Sequence, residues 1–281
     1  LDQIGPLATS VEVRAIIFSA ISGRDSFDST CADQPQRDYF DEMKKLYGRR
    51  FRIGIPKEYF IGGLQPSIAK QIDLLQQKLK TAGHSILEVS LPHTEYSVAV
   101  YYIVAVSEAS SNLARFDGVR FGTRISKEAD QEFALTKMYQ KTRSLFGAEV
   151  KRRIILGTFA LSSGYYDAYY KRACQVRRLI KQDFDEAFKK VDLILAPVTH
   201  SAAFKLGEKM SNPLQMYLND IYTIPANLAG LPAISIPIGR NEENLPIGAQ
   251  FIGPAFKEAE LFSIAKFVED QFYREEVDHG F

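Results

Sequence analysis

Apolar residues recur along this chain with two different periods. In the stretch 66–83, Ile68, Ile72, Leu75 and Leu79 fall on one stripe of helical period, with Pro66 opening the segment and Gly83 closing it, so the spacing predicts a helix. "FRIGIP" (51–56) reads as a strand stopped by Pro56, and "HSILEVSLP" (84–92) alternates like a second one. Strand, helix and strand within about forty residues predict a βαβ unit with a right-handed crossover. Further on, "DLILAP" (192–197) is an uninterrupted apolar run of the buried-strand type, and "PAISIPIG" (232–239) and "IGAQFIG" (247–253) are two short apolar strands around a polar turn. Long helices are expected over 94–116 and 165–191, and the polar region 124–160 reads as helical. A final helix over 257–273 should bury Leu261, Ile264, Ala265 and Val268. Near the start, Thr9-Ser10-Val11-Glu12 has a capping-box form, and the stripe Val13, Ile16, Ile17, Ala20 and Ile21 predicts a helix buried along those residues. The turn-rich stretch 28–38 is expected to be a surface loop rather than a boundary. Together these elements predict an α/β fold, a single domain over 1–281 with mixed strands between helical layers.

Composition narrows the class without naming a function. The 281 residues carry 35 Lys+Arg against 34 Asp+Glu, a formal net charge of +1 that gives no global argument for a polyanionic partner. The longest apolar run, "YSVAVYYIVAV" (96–106), is too short to span a bilayer and predicts a buried helix. Two cysteines, Cys31 and Cys174, lie far apart in no paired motif, which fits a reducing compartment. No secretory or anchoring pattern is visible, so a cytoplasmic protein without membrane contact is expected. The first residues, "LDQIGPLATS", have neither Met nor a polar lead-in, and read as though they continue a domain already begun.

Candidate chemistry is sparse when judged from residue types alone. His84, His93, His200 and His279 have no ligating neighbours at metal-site spacing, so no metal site is expected and a structural or surface role is the simpler reading. "GIPKEYFIGG" has glycines but not the strand–turn–helix placement of a phosphate loop. Ser162-Ser163 before Gly164 offers either an oxyanion-holding position or, more simply, a cap for the helix expected near Tyr165. Ser110-Ser111 is a second serine pair. The basic clusters Lys151-Arg152-Arg153, Lys171-Arg172 and Arg177-Arg178 read as solvated helix faces ahead of a polyanion-binding surface.

Longer motifs carry more information. "LDQIGPL", "GRDSFDSTCAD" (23–33), "NLAGLPAISIPIG" (227–239) and "LPIGAQFIGP" (245–254) resemble segments of the amidase-signature hydrolases. "SEASSNLARFDGVRFG" (107–122) and "EVKRRIILGTFALSSGYYDAYY" (149–170) resemble, more narrowly, the A subunits of tRNA-dependent amidotransferases. The resemblance runs along essentially the whole chain. It implies the amidase-signature fold, a mixed sheet covered by helices on both faces, and a glutaminase that releases ammonia for the amidation of Glu-tRNA(Gln), and of Asp-tRNA(Asn) in some systems. The acyl-transfer machinery it implies is a Ser–cis-Ser–Lys triad lying ahead of "LDQIGPL". No residue of this chain matches those positions, Ser110, Ser111, Ser162 and Ser163 included. A C-terminal portion lacking catalytic residues of its own, and inactive alone, is therefore expected.

What the resemblance leaves within the chain is recognition. Glutamine is a zwitterion, so its pocket must answer a carboxylate and an ammonium, and a guanidinium matches a carboxylate with two parallel hydrogen bonds. The motifs "KRRI-x-LG", "ND-I-x-T-I-P" and "VYYI" place those roles on Arg153, Asp220 and Tyr101, with Arg152 and Tyr102 the neighbouring alternatives. The resemblance also implies B and C subunits as partners and tRNA contact only through the complex. No cofactor is implied in this chain, ATP and Mg being used by the partner. Rival readings are a stand-alone amidase acting on small amides and a non-enzymatic assembly module.

Overall fold

In the computed structural model, the strand β1 (Arg52–Pro56), the helix α3 (Pro66–Thr81) and the strand β2 (Ser85–Val89) form the expected βαβ unit, with β1 and β2 parallel and Ile53 opposite Ile86. The structure describes residues 1, 3–60, 63–125, 135–207 and 219–272. The chain divides into two compact units, Leu1–Val98 with Leu179–Phe281 forming one and Ala99–Arg178 the other.

The first unit holds a mixed five-stranded sheet in the order β2-β1-β3-β5-β4, where β3 is Leu193–Pro197, β4 Ala233–Arg240 and β5 Pro246–Ile252. β3 lies parallel to β1, while β5 runs antiparallel to both β3 and β4. Every residue of β3 is buried, as its apolar run requires of a central strand covered on both faces. One face, through Ile53, Leu193, Leu195, Ile236, Ala249 and Phe251, packs on α3 and on the last helix, α9 (Glu258–Phe272). The stripes expected of these helices are the buried ones: Ile68, Ile72, Leu75 and Leu79 on α3, and Leu261, Ile264, Ala265 and Val268 on α9. The alternate set, Ile194, Ala196, Gln250 and Ile252, is buried on the opposite face.

Two helices of this unit correct the reading from pattern. The first, α1 (Val11–Ile21), starts at an N-cap Ser10 whose hydroxyl accepts the Val13 N–H, but its buried residues are Val11 and Ala15. Val13, Ile16, Ile17 and Ile21 are 37–51% exposed. The helix is apolar on nearly every side, and Phe18 decides which side goes in, because its ring meets Tyr39 at 4.9 Å and Phe262 at 5.7 Å. Tyr39 opens the unexpected α2 (Tyr39–Leu46), capped by Asp38. With only Tyr39 and Met43 buried, α2 shows too few apolar positions for a period to emerge. The loop 28–38 has little regular structure and is mostly exposed, as expected.

The second unit is helical. It takes in α4 (Ser97–Asn112) from Ala99 onward, α5 (Leu135–Ser144), α6 (Ala148–Ala160) and the first residues of α7 (Arg172–Phe188). The expected helix over 165–191 therefore begins late: Gly164, at φ +89°, breaks the chain after α6, and Asp167–Lys171 form a π-turn before α7 starts. The expected helix over 94–116 is likewise trimmed, by a 3-10 turn at Pro92–Tyr96 and another at Leu113–Arg115. Part of the region 124–160, residues 126–134, lies outside the described residues.

Candidate functional site

Two of the three candidate residues meet in the helical unit. Arg153 sits on α6 one turn after Glu149, and its Nε donates to Glu149 Oε1 at 3.0 Å. Arg152 donates to the other oxygen of the same carboxylate at 2.6 Å. The two arginines differ in setting: the Arg153 side chain is 33% exposed and that of Arg152 52%. Across from α6, on α4, the Tyr101 phenol engages Arg153. Burial alone would lower the pKa of the Arg153 guanidinium, but its hydrogen bond to Glu149 and the nearby Tyr101 phenol more than offset this and hold it above the ordinary value. Tyr102 stacks edge-on against Tyr101, with centroids 5.0 Å apart.

Asp220 belongs to the sheet-bearing unit, just ahead of the short helix α8 (Ile224–Ala229). Its backbone carbonyl accepts the N–H groups of Thr223 and Ile224 at 3.1 and 3.0 Å. The residue is exposed, and the atoms packed around its carboxyl raise the carboxyl pKa by desolvation. A carboxylate in that position is stabilised by any cation that replaces the lost water.

The brace behind Asp220 was not visible in the sequence. Gln250, on β5 and 3% exposed, donates through Nε2 to Pro197 O and to Tyr222 O, both at 2.8 Å. One buried amide thus ties the end of β3 to the turn that carries Asp220 two residues earlier. Tyr222 is itself buried against the Tyr59 ring, 5.2 Å away. The available signal was a single polar side chain within the apolar run "IGAQFIG", since a buried amide almost always has a specific partner. A groove of about 940 Å³ runs beside β4, bordered by Arg14, Ser235, Glu258 and Phe262, and none of the three candidates lines it.

The remaining candidates fall into structural roles. Ser110 donates to Ser107 O, a helical back-bond. Ser162 does not cap the following helix: its hydroxyl donates back to Phe159 O at 2.7 Å, closing the end of α6. The π-turn begins with no side-chain cap. His84 is buried, stacked on Phe51, and accepts the Phe51 N–H through Nδ1 at 3.1 Å. His93 pairs through Nδ1 with Asp183 at 2.9 Å; His279 lies outside the described residues. In the basic clusters Lys171 pairs with Asp167 one turn earlier, and Arg177 of α7 with Glu108 of α4. Both cysteines are free. Among the described residues no group of three or more His, Cys, Asp or Glu could hold a metal ion, and no helix is long and apolar enough to cross a membrane.

Comparison with known proteins follows the same direction as the motifs. The amidase family model matches residues 1–262. The A subunit of the glutamyl-tRNA(Gln) amidotransferase of Thermodesulfovibrio yellowstonii is 53% identical over 266 residues, which cover 94% of this chain and 54% of that protein. Its namesake from Pelagibacter ubique is 51% identical over 273 residues, covering 96% and 55%. Among solved structures, the A subunit of the glutamyl-tRNA(Gln) amidotransferase of Thermotoga maritima superposes with a TM-score of 0.73 at 37% identity, over 95% of this chain and 52% of that one. The 6-aminohexanoate cyclic dimer hydrolase shares the fold alone, at a TM-score of 0.66 and 20% identity. The chain spans about half the length of the curated relatives it matches.

Proposed function

The chain belongs to the amidase family, and from that premise we propose that it forms the glutamine-recognising part of the glutaminase subunit of a tRNA-dependent amidotransferase. The observation that carries the proposal is the sustained identity, 53% over 94% of the chain, to a protein named as the A subunit of such an enzyme. In the proposed reaction glutamine gives up its side-chain amide as ammonia, and the ammonia is used to convert Glu-tRNA(Gln) to Gln-tRNA(Gln), with Asp-tRNA(Asn) a further substrate in some systems.

The residues of this chain answer the two charges of the amino acid. Arg153 takes the α-carboxylate, joining or displacing Glu149, because its guanidinium stays charged at any working pH and presents paired donors. Tyr101 steadies it. Asp220 takes the α-ammonium, whose charge compensates the desolvation of the carboxyl. The nucleophile, bridging serine and lysine of the resembling enzymes match no residue here, so the chain contributes specificity and not acyl transfer. B and C subunits are the proposed partners, with ATP and Mg²⁺ serving the B subunit. tRNA is reached through the complex.

The test is glutamine kinetics in the complete complex, with the full-length protein in place of this chain. Asp220→Ala and Arg153→Ala should each cut kcat/KM for glutamine by on the order of 2–5 kcal/mol of transition-state stabilisation. Near-normal values for both would overturn the assignment. The 281-residue chain alone should hydrolyse neither glutamine nor small amides; turnover of simple amides without partners would instead point to a stand-alone amidase.

A further inference from the structure

The helices that carry Tyr101 and Arg153 touch at a point where no side chain fits. A Cβ on Gly157 of α6 would stand 1.9 Å from the carbonyl oxygen of Val106 on α4, 2.6 Å from its carbonyl carbon and 2.7 Å from Ser110 Oγ. Two of these three are backbone atoms, which no rotamer change can move aside. Val106 is 3% exposed and Gly157 is buried, so neither helix can tilt away into solvent at this spot without opening the crossing. The glycine is not there for a turn: it lies within α6, three residues from its end, where glycine is less favourable than alanine. What it provides is close approach of two backbones.

Gly157 is also one helical turn beyond Arg153, on the same side of α6. The crossing therefore sets how closely the part of α6 that carries Arg153 approaches α4. Resting on the pocket proposed above, we infer that Gly157 is a positioning residue for glutamine recognition: by letting α6 seat against the Val106 carbonyl, it places Arg153 where it can read the α-carboxylate. An added methyl must push the helices apart by about an ångström or more, since ordinary carbon–oxygen contact needs well over ~3 Å. A displacement of that size at a bidentate contact costs on the order of 10- to 100-fold.

The test compares glutamine with glutaminamide, in which the α-carboxylate is replaced by an uncharged amide, in the complete complex carrying the full-length protein. Gly157→Ala should lower the preference for glutamine over glutaminamide on the order of 10-fold or more, mainly through KM for glutamine. A merely structural defect lowers the amount of active enzyme and leaves the preference unchanged, and that result would overturn the inference. If Gly157→Ala cannot be purified folded, Ser110→Val crowds the same crossing from the α4 side and should reduce the preference likewise. Failure of both variants to fold, or an unchanged preference in either, would reduce the crossing to a packing feature. Arg153→Ala separates this inference from its premise. Should Arg153→Ala keep the wild-type preference, the pocket itself is wrongly placed; should it lose the preference while Gly157→Ala keeps it, only the positioning role fails.

Discussion

Replacing Gln250 by Met tests the brace behind Asp220 by a route independent of activity. Methionine approximates the volume and reach of glutamine and adapts to irregular packing, so the change removes the amide while leaving little cavity. What it takes away is one donor group that serves two acceptors, Pro197 O and Tyr222 O, at 2.8 Å each in a site 3% exposed. Each acceptor left without a partner costs about 1–3 kcal/mol, and the milder end applies to carbonyls that can relax slightly, which gives about 2–4 kcal/mol in all. Native-state hydrogen exchange of the purified chain reads this directly, because amides of β3 and β5 exchange through the opening that breaks these bonds. Their protection should fall by about 30- to 1000-fold, each factor of ten being worth about 1.4 kcal/mol. Amides of α5 and α6, in the other unit, should be unaffected, which separates a local loss from general unfolding. Protection of β3 and β5 within about twofold of the parent would refute the reasoning, since it would mean the two carbonyls are satisfied without Gln250.

Other expectations follow from buried groups of the same unit. Desolvation first, and the nearby Arg50 second, hold the His84 pKa below the ordinary value of 6.5. Its neutral form is therefore the one that stabilises the fold, and that stability is full above about pH 6.5 and lost as the pH falls toward the depressed folded value. Thermal melts at about pH 7.5 and about pH 5.5 should show a larger drop for the parent than for His84→Gln, which keeps an acceptor but does not titrate; equal drops would exclude His84 as the cause. Leu75→Ala on α3, fully buried, should cost about 2–5 kcal/mol in urea unfolding, and less than about 1 kcal/mol would place that stripe outside the core.

How far the fold could be read before the structure depended on how many residues voted for each element. α3 and α9 each bury a full stripe of four expected residues, and both have the length over which a helical period declares itself. β3 could be read because a continuous apolar run of that length has few alternatives between a helix end and a proline. α2 and α8 could not, having eight and six residues. α8 is marked chiefly by Gly230 at φ +67°, a C-cap that looks like any loop glycine until the backbone is known. α1 failed differently. Its two apolar faces were equally good candidates for burial, and local pattern carries no information about whether Phe18 or Ile17 will find Tyr39 and Phe262.

The candidate site shows the same division between local and non-local signals, with a sharper consequence. Arg153, Asp220 and Tyr101 could be proposed as candidates from the sequence because charge and hydrogen-bonding capacity are properties of a side chain, and motifs carry side chains in order. Gln250 and Gly157 could not, because their roles are relations between segments far apart in the chain: a β5 amide holding the turn before α8, and an α6 backbone lying against an α4 carbonyl. Neither residue is costly to replace by the rules of its own element. An exposed strand accepts Met as readily as Gln, and an isolated helix prefers Ala to Gly. The penalty in each case comes from the partner: a carbonyl stripped of its donor, or one overrun by a methyl group. Residues that seat distant segments against each other therefore break local preference without offering any chemistry of their own, and a glycine inside a helix or a lone amide inside an apolar strand is the trace they leave.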